Sequence, residues 1–365
     1  MNQDSGNQAY VLMANKLREK YRVPGVAAVV IDHDHSNPTE ILLGTKKHNS
    51  NEPIDSSTLF QVGSLSKTLS AYGIMKLMEQ ESLDIDKDIC AYIKRWKPVN
   101  SYPPITIRQL LSHTGGISCH GYPGVHPKRK RYTLEDSISG RGFRRAVKCV
   151  EEPGNGARYS GGGYTLLQTL IEDVTGTSFV KYMDTNVLNS FGMTYSTFDY
   201  DTALSRSHTD CYGYLGRRKP HYYYAELAAC GLYTCLRDIH RFLSWHDTKE
   251  GFIQKDVVDQ MMKKVRRDVA FGLGFHAAVI NRHHVVFNYG INRGWRAGFM
   301  MLPQNNKAIG ACTNSDRGEN WMKEFFTYWL EDNIGPLSPE AKKLLLLDLH
   351  GWTYLMLTNA WTVVR

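Results

Sequence analysis

Two periodicities are segregated along this chain, and their placement limits the fold more than any other feature. Apolar β-branched runs at residues 26–31 and 41–44 read as strands, the first entered through Pro24-Gly25 and the second as its hairpin partner. The strand pattern returns only after Phe271, at residues 272–280, 284–289, 296–302 and 307–313. Helical periodicity fills the rest, over residues 8–21, 64–81, 107–111, 161–174, 179–188, 238–245 and 321–330. Strands at both ends with helices between them predict an α/β domain assembled from residues 1–85 and 225–335. A helical domain over 86–224 is then inserted into it, and residues 336–365 form a C-terminal helical extension.

The chemistry sits where the first strands give way to helices. Ser64 and Lys67, in Gly63-Ser64-Leu65-Ser66-Lys67-Thr68, are one turn apart at the start of a helix whose apolar stripe is Leu69, Tyr72, Ile74, Leu77 and Met78. Residues three apart share a helix face, so the amine can take the hydroxyl proton. The positive helix N-terminus lies where an alkoxide and then an oxyanion would form. That is the arrangement of an activated serine nucleophile. A short strand-like segment, Phe60-Gln61-Val62, leads into Ser64; a second Ser-x-x-Lys, Ser178 to Lys181, lacks both such an approach and the long apolar helix after it.

Composition narrows the alternatives. The 365 residues are 42% hydrophobic and 22% charged, ordinary values for a globular protein with a large core. Seven scattered Cys form no Cys-x-x-Cys pair and suit free thiols in a reducing compartment. Residues 1–5 lack the basic and apolar regions of a signal peptide, which predicts a cytoplasmic location. The apolar stretch 344–361 is interrupted by Asp348, His350 and Asn359, which argues against a membrane span and for a docked helix or dimer contact. No metal-ligand spacing and no Gly-x-Ser-x-Gly elbow occurs, so neither a metal nor another cofactor is expected. Of the net charge of +8, residues 128–148 hold eight basic against two acidic residues. Without a nucleic-acid motif beside it, this segment reads as solvated surface or as a rim that attracts an anionic substrate, not as a nucleic-acid site.

Several ordered motifs together resemble the serine β-lactamase and penicillin-binding-protein superfamily, in its class C-like branch of esterases, D-aminopeptidases, amide hydrolases and acyltransferases. They are Val23-Pro24-Gly25-Val26, the Ser64 motif, Leu83-Asp84-Ile85-Asp86 and Leu110-Leu111-Ser112-His113-Thr114-Gly115-Gly116. Arg158-Tyr159-Ser160-Gly161, Ala228-Ala229-Cys230-Gly231 and Gly290-Ile291-Asn292-Arg293-Gly294-Trp295 complete the set. The resemblance implies an antiparallel sheet flanked by helices and a small-molecule ester or amide substrate. It implies Ser64 as the acylated nucleophile, Lys67 and Tyr159 as its acid–base partners, and the backbone N–H groups of Ser64 and Ile291 as the oxyanion hole. Asn288-Tyr289-Gly290 takes the place of the family's third motif. Asn288, Gly290, Arg293 and Tyr223 are the expected substrate-binding residues, with Tyr212, Tyr214 and Tyr222 as further candidates for the pocket. His113 reads as a turn histidine rather than a base.

Two departures bear on specificity. Gly161 stands where β-lactamases usually carry Asn, and Asn288 stands where the family usually carries a cation, leaving Arg293 or Arg296 to anchor a substrate carboxylate. Both argue against an efficient β-lactamase or transpeptidase and for an esterase or specialised amidase. The alternatives are an acyltransferase acting on a metabolite or carrier-bound acyl group, and a penicillin-binding-type protein that acylates slowly.

Overall fold

A computed structural model of the protein describes residues 3–32, 37–48, 50–99, 102–141, 145–244 and 253–342. The two strand-bearing ends form one six-stranded antiparallel sheet. It contains β1 (Gly25–Ile31), β2 (Thr39–Gly44), β7 (His276–Ile280), β8 (His283–Asn292), β9 (Trp295–Leu302) and β10 (Lys307–Thr313), in the order β2-β1-β10-β9-β8-β7. The chain's first strand is zipped to its last, with Val26 opposite Thr313 and Ile31 opposite Ala308. β1 is buried along its whole length because both its faces are covered. Alternation sends Val26, Ala28 and Val30 toward α1 (Gln3–Tyr21) and α11 (Gly318–Ile334), and Ala27, Val29 and Ile31 toward the remaining helices. Two short two-stranded ladders lie outside this sheet: β3 (Phe60–Gln61) pairs with β6 (Tyr233–Thr234), and β4 (Cys211–Tyr212) with β5 (Arg218–Lys219).

The second face carries α2 (Leu65–Gln80), followed in the chain by α3 (Ile107–Leu111), α4 (Leu134–Ser139), α5 (Gly161–Thr175), α6 (Phe179–Met183) and α7 (Tyr200–Ser205). After these come α8 (Leu227–Cys230), α9 (Leu236–Leu243) and α10 (Lys255–Met262). One apolar core runs from this face of the sheet through α2 and into α5. α2 is buried on every side as far as Ile74, more than its apolar stripe predicts. Its polar side chains are satisfied by carbonyls: Ser66 Oγ donates to Gly63 O at 2.6 Å, Ser70 Oγ to Ser66 O at 2.8 Å, and Thr68 Oγ1 to Gly274 O at 2.8 Å.

The strand expected from residue 272 begins at His276, because residues 272–275 fold into a tight turn closed by Gly272 N–H on Phe275 O, with Gly274 at φ +85°. The helix expected over 179–188 changes at Asp184 from α to a π turn that ends at Leu188. Within the described residues no helix is long and apolar enough to cross a membrane. The stretch 344–361 lies outside the described residues.

Candidate active site

Ser64 occupies the N-cap of α2, yet its hydroxyl caps nothing. A serine there ordinarily turns back onto the first free N–H groups of its helix. Here Lys67 Nζ donates to Ser64 Oγ at 3.0 Å and to Ala229 O at 2.8 Å, so the amine bridges the hydroxyl and the end of α8. Both partners are neutral and the side chain is 3% exposed. Burial pulls its pKa down from 10.5 to about 8. At pH 7 roughly a tenth of such an amine is free base.

The turn before α2 is pressed against the end of β8. A side chain at Gly290 would run into Val62 O, so only glycine lets the strand approach. A Cβ at Gly63, whose φ is +53°, would stand 2.7 Å from Ile291 N. The Ile291 peptide therefore lies across the nucleophile turn, and Ser64, Lys67 and Ile291 line one cleft with Tyr122, Gly161, Cys230 and Asn292. Two backbone N–H groups at such a place are what an oxyanion requires. A larger hollow beside α6 and α7, lined by Asp184, Asp199 and Arg206, holds none of the expected site residues.

Tyr159 sits immediately before α5, with its ring centroid 5.0 Å from Lys67 Nζ. Its ring packs on His113 at 4.3 Å and on His120 at 4.9 Å between centroids. Burial and the nearby Lys67 hold both imidazoles uncharged, His113 well below its ordinary pKa and His120 at about 4. Sequence reasoning placed His113 correctly in a turn but missed this stacking. It also missed His120 and Tyr122, for which no local pattern exists, and gave no role to Cys230 and Asn292, although both stand in quoted motifs.

The remaining expected residues divide. Gly161 is not an open position: a Cβ there would stand 3.0 Å from the Tyr122 ring and 3.2 Å from the carbonyls of Cys119 and His120. The stretch 119–122 thus fills the place beside the nucleophile that a side chain at 161 would take. Asn288 is buried, donating to Thr68 Oγ1 at 2.7 Å and accepting from Tyr289 N–H at 2.8 Å, so it braces α2 against β8. Arg296 is also buried, against Asp316 at 2.9 Å and Glu319 at 3.4 Å. Arg293 is exposed on the β8–β9 turn beside Asn292, stacked at 4.8 Å on Tyr222. Among the described residues no carboxylate pairs with it. Tyr223 lies with Tyr200 under Arg131, which forms two hydrogen bonds to Asp201, and none of these lines the cleft at Ser64. Tyr212 donates no bond toward the cleft but accepts from His48 N–H at 2.6 Å, and Tyr214 donates to Glu319 at 3.1 Å. Of the basic segment, Arg131 and Arg141 are ion-paired, while Lys128, Arg129 and Lys130 are exposed.

Known proteins resemble this chain in sequence and in fold. Penicillin-binding protein 4* of Bacillus subtilis (strain 168) is 31% identical over 163 residues, which is 44% of this chain and 35% of that protein. Esterase EstB of Burkholderia gladioli is 28% identical over 192 residues, 48% of this chain and 47% of that one. The match thus spans about half the length of these curated relatives, or less. Among solved structures, EstCE1, a hydrolase with promiscuous acyltransferase activity, superposes with a TM-score of 0.73 at 18% identity, over 91% of this chain and all of that one. The Beta-lactamase family model matches residues 13–327, and the chain belongs to that family.

Proposed function

We propose that this protein is a serine hydrolase that cleaves an ester or amide through an acyl-enzyme on Ser64. The observation that carries the proposal is the 3.0 Å contact between Lys67 Nζ and a Ser64 hydroxyl freed from capping, at a helix N-terminus faced by the Ile291 peptide. Ser64 Oγ attacks the carbonyl as its proton passes to the Lys67–Tyr159 pair. The tetrahedral oxyanion is held by the N–H groups of Ser64 and Ile291, and the pair returns the proton to the leaving group. Water repeats the sequence on the acyl-enzyme. The esterase name of EstB supports an ester over a peptide substrate. The test is intact-mass spectrometry after treatment with a fluorophosphonate and a panel of small esters. A single adduct is expected on Ser64 and none on the Ser64→Ala variant; an adduct on Ser178, or one that survives Ser64→Ala, would overturn the assignment.

Arg293 suits a substrate that carries an anionic group. It is exposed next to the cleft and flattened on the Tyr222 ring, where one guanidinium nitrogen donates to the Tyr222 hydroxyl at 3.4 Å and the other donors face outward for a carboxylate. Because the site is solvated, Arg293→Gln should raise KM for a carboxylate-bearing ester by only about 3- to 10-fold. A matched neutral ester should be unaffected, and the difference should shrink at high salt. Equal changes for the two esters would remove Arg293 from substrate recognition.

A further inference from the structure

We infer that His113 is the positioning residue for Tyr159, a role that rests on the acyl-enzyme reading above. The two peptide N–H groups that flank Tyr159 both end on this one residue. Arg158 N–H donates to His113 O at 2.7 Å, and Ser160 N–H donates to His113 Nδ1 at 3.1 Å. The imidazole between those two bonds also lies against the Tyr159 ring, with centroids 4.3 Å apart and planes inclined by 36°. One residue 46 positions earlier in the chain thus holds the backbone on both sides of Tyr159 and one face of its ring, while His120, Phe271 and His276 complete the ring's surroundings.

His113 adopts a strained conformation to do this. Its φ is +58°, in the left-handed region that a non-glycine residue seldom occupies. The strain is imposed from behind by α3, where Thr106 and Gln109 form a reciprocal capping box and Thr114 N–H reaches back to Gln109 O at 2.8 Å. From this rigid base the residue at 113 must supply three things: a backbone tolerant of positive φ, a side-chain acceptor at the reach of Nδ1, and a flat face. Asn supplies the first two, Phe supplies only the third, and His supplies all three. Acceptance at Nδ1 requires the neutral ring with its proton on Nε2. Burial and the nearby Lys67 keep the ring in that form.

A displaced hydroxyl loses rate rather than affinity, since a misplacement on the order of 1 Å can cost about 100-fold. The experiment compares steady-state kinetics on a short-chain ester for the wild type, His113→Phe, His113→Asn, Tyr159→Phe and the two double variants, with thermal melts confirming folding. His113→Phe should lower kcat by roughly 10- to 100-fold with KM changed less than about 3-fold, and His113→Asn should recover part of the loss. In the Tyr159→Phe background neither His113 change should lower kcat by more than about 2-fold, because the hydroxyl being positioned is gone. His113→Asn keeps the acceptor and tolerates the φ, so it remains measurable if His113→Phe fails to fold. Equal fold-losses in both backgrounds, or losses carried in KM, would assign His113 a general structural role and overturn the inference. If Tyr159→Phe alone retains full kcat, the role proposed for Tyr159 is what fails, and the inference falls with it.

Discussion

Replacing Lys67 by methionine is expected to lower kcat on a short-chain ester by roughly 10²- to 10⁴-fold while leaving the fold at least as stable. The rate loss follows from the amine being the group hydrogen-bonded to Ser64 Oγ, and this is the usual scale for removing a general base. The stability follows from burial. Lys67 is depressed from 10.5 to about 8, so below pH 8 the folded state carries a buried charge that the unfolded state does not. That penalty is complete at pH 7 and fades as the pH rises from about 8 to about 10.5, where both states become neutral. A shift of this size corresponds to roughly 3 kcal/mol against folding at pH 7. Methionine relieves it, offset by the hydrogen bonds lost to Ser64 and Ala229, each worth about 1 kcal/mol. The same burial gives the wild-type enzyme a kcat/KM that rises with pH through an apparent pKa near 8. Thermal melts and a pH–rate profile check both parts. A methionine variant that retains more than about a tenth of kcat, or a profile flat from pH 6 to 9, would show that Lys67 is not the base.

The legible part of this protein is what local spacing controls. The segregation of strands and helices implied that the two ends share a sheet, and the pairing of Val26 with Thr313 is that closure in the structure. Ser64 and Lys67 were readable because three residues on a helix fix their distance whatever surrounds them. The burial of α2 on every side was not readable. Ser66, Thr68 and Ser70 give no sign of burial in sequence until the carbonyls of Gly63, Gly274 and Ser66 are found to take their hydroxyls. Residues that depend on distant partners were equally hidden. Nothing near His113 in sequence indicates a ring 46 positions later. Gly161 reads as a missing amide, whereas its meaning lies in the backbone of residues 119–122 packed onto it.

The arginine pair shows the limit most clearly. Arg293 and Arg296 are the same residue type three positions apart, and sequence offered either as a substrate anchor. Register decides between them. Arg296 lies on β9 opposite Thr313, where the chain leaving β10 brings Asp316 and Glu319 to its guanidinium. Arg293 belongs to the turn at the other end of that short stretch, open beside Asn292 and Tyr222. Only the acidic residues of a separate segment distinguish them, and their arrival is a property of the folded sheet.

Tyr159→Phe should lower kcat by roughly 10²- to 10⁴-fold, and the dependence of that loss on leaving group would reveal what the hydroxyl does. The phenylalanine ring keeps the packing on His113 and His120, so the change removes one oxygen and little else. The Lys67 amine already contacts Ser64 Oγ, which makes it the nearer candidate to accept the nucleophile's proton. The phenol, its ring 5.0 Å from that amine, is then the group that carries the proton onward to the departing atom. A nitrophenolate leaves without needing a proton, whereas an alkoxide or an amine does not. The loss should therefore be at least about 10-fold greater for an alkyl ester or an amide than for a nitrophenyl ester, provided acylation is rate-limiting in each case. If Tyr159 instead takes the proton from Ser64, attack itself is impaired and the losses should be equal across the series. Full kcat on every substrate would remove the hydroxyl from the chemistry altogether, leaving Tyr159 as a ring packed between two histidines.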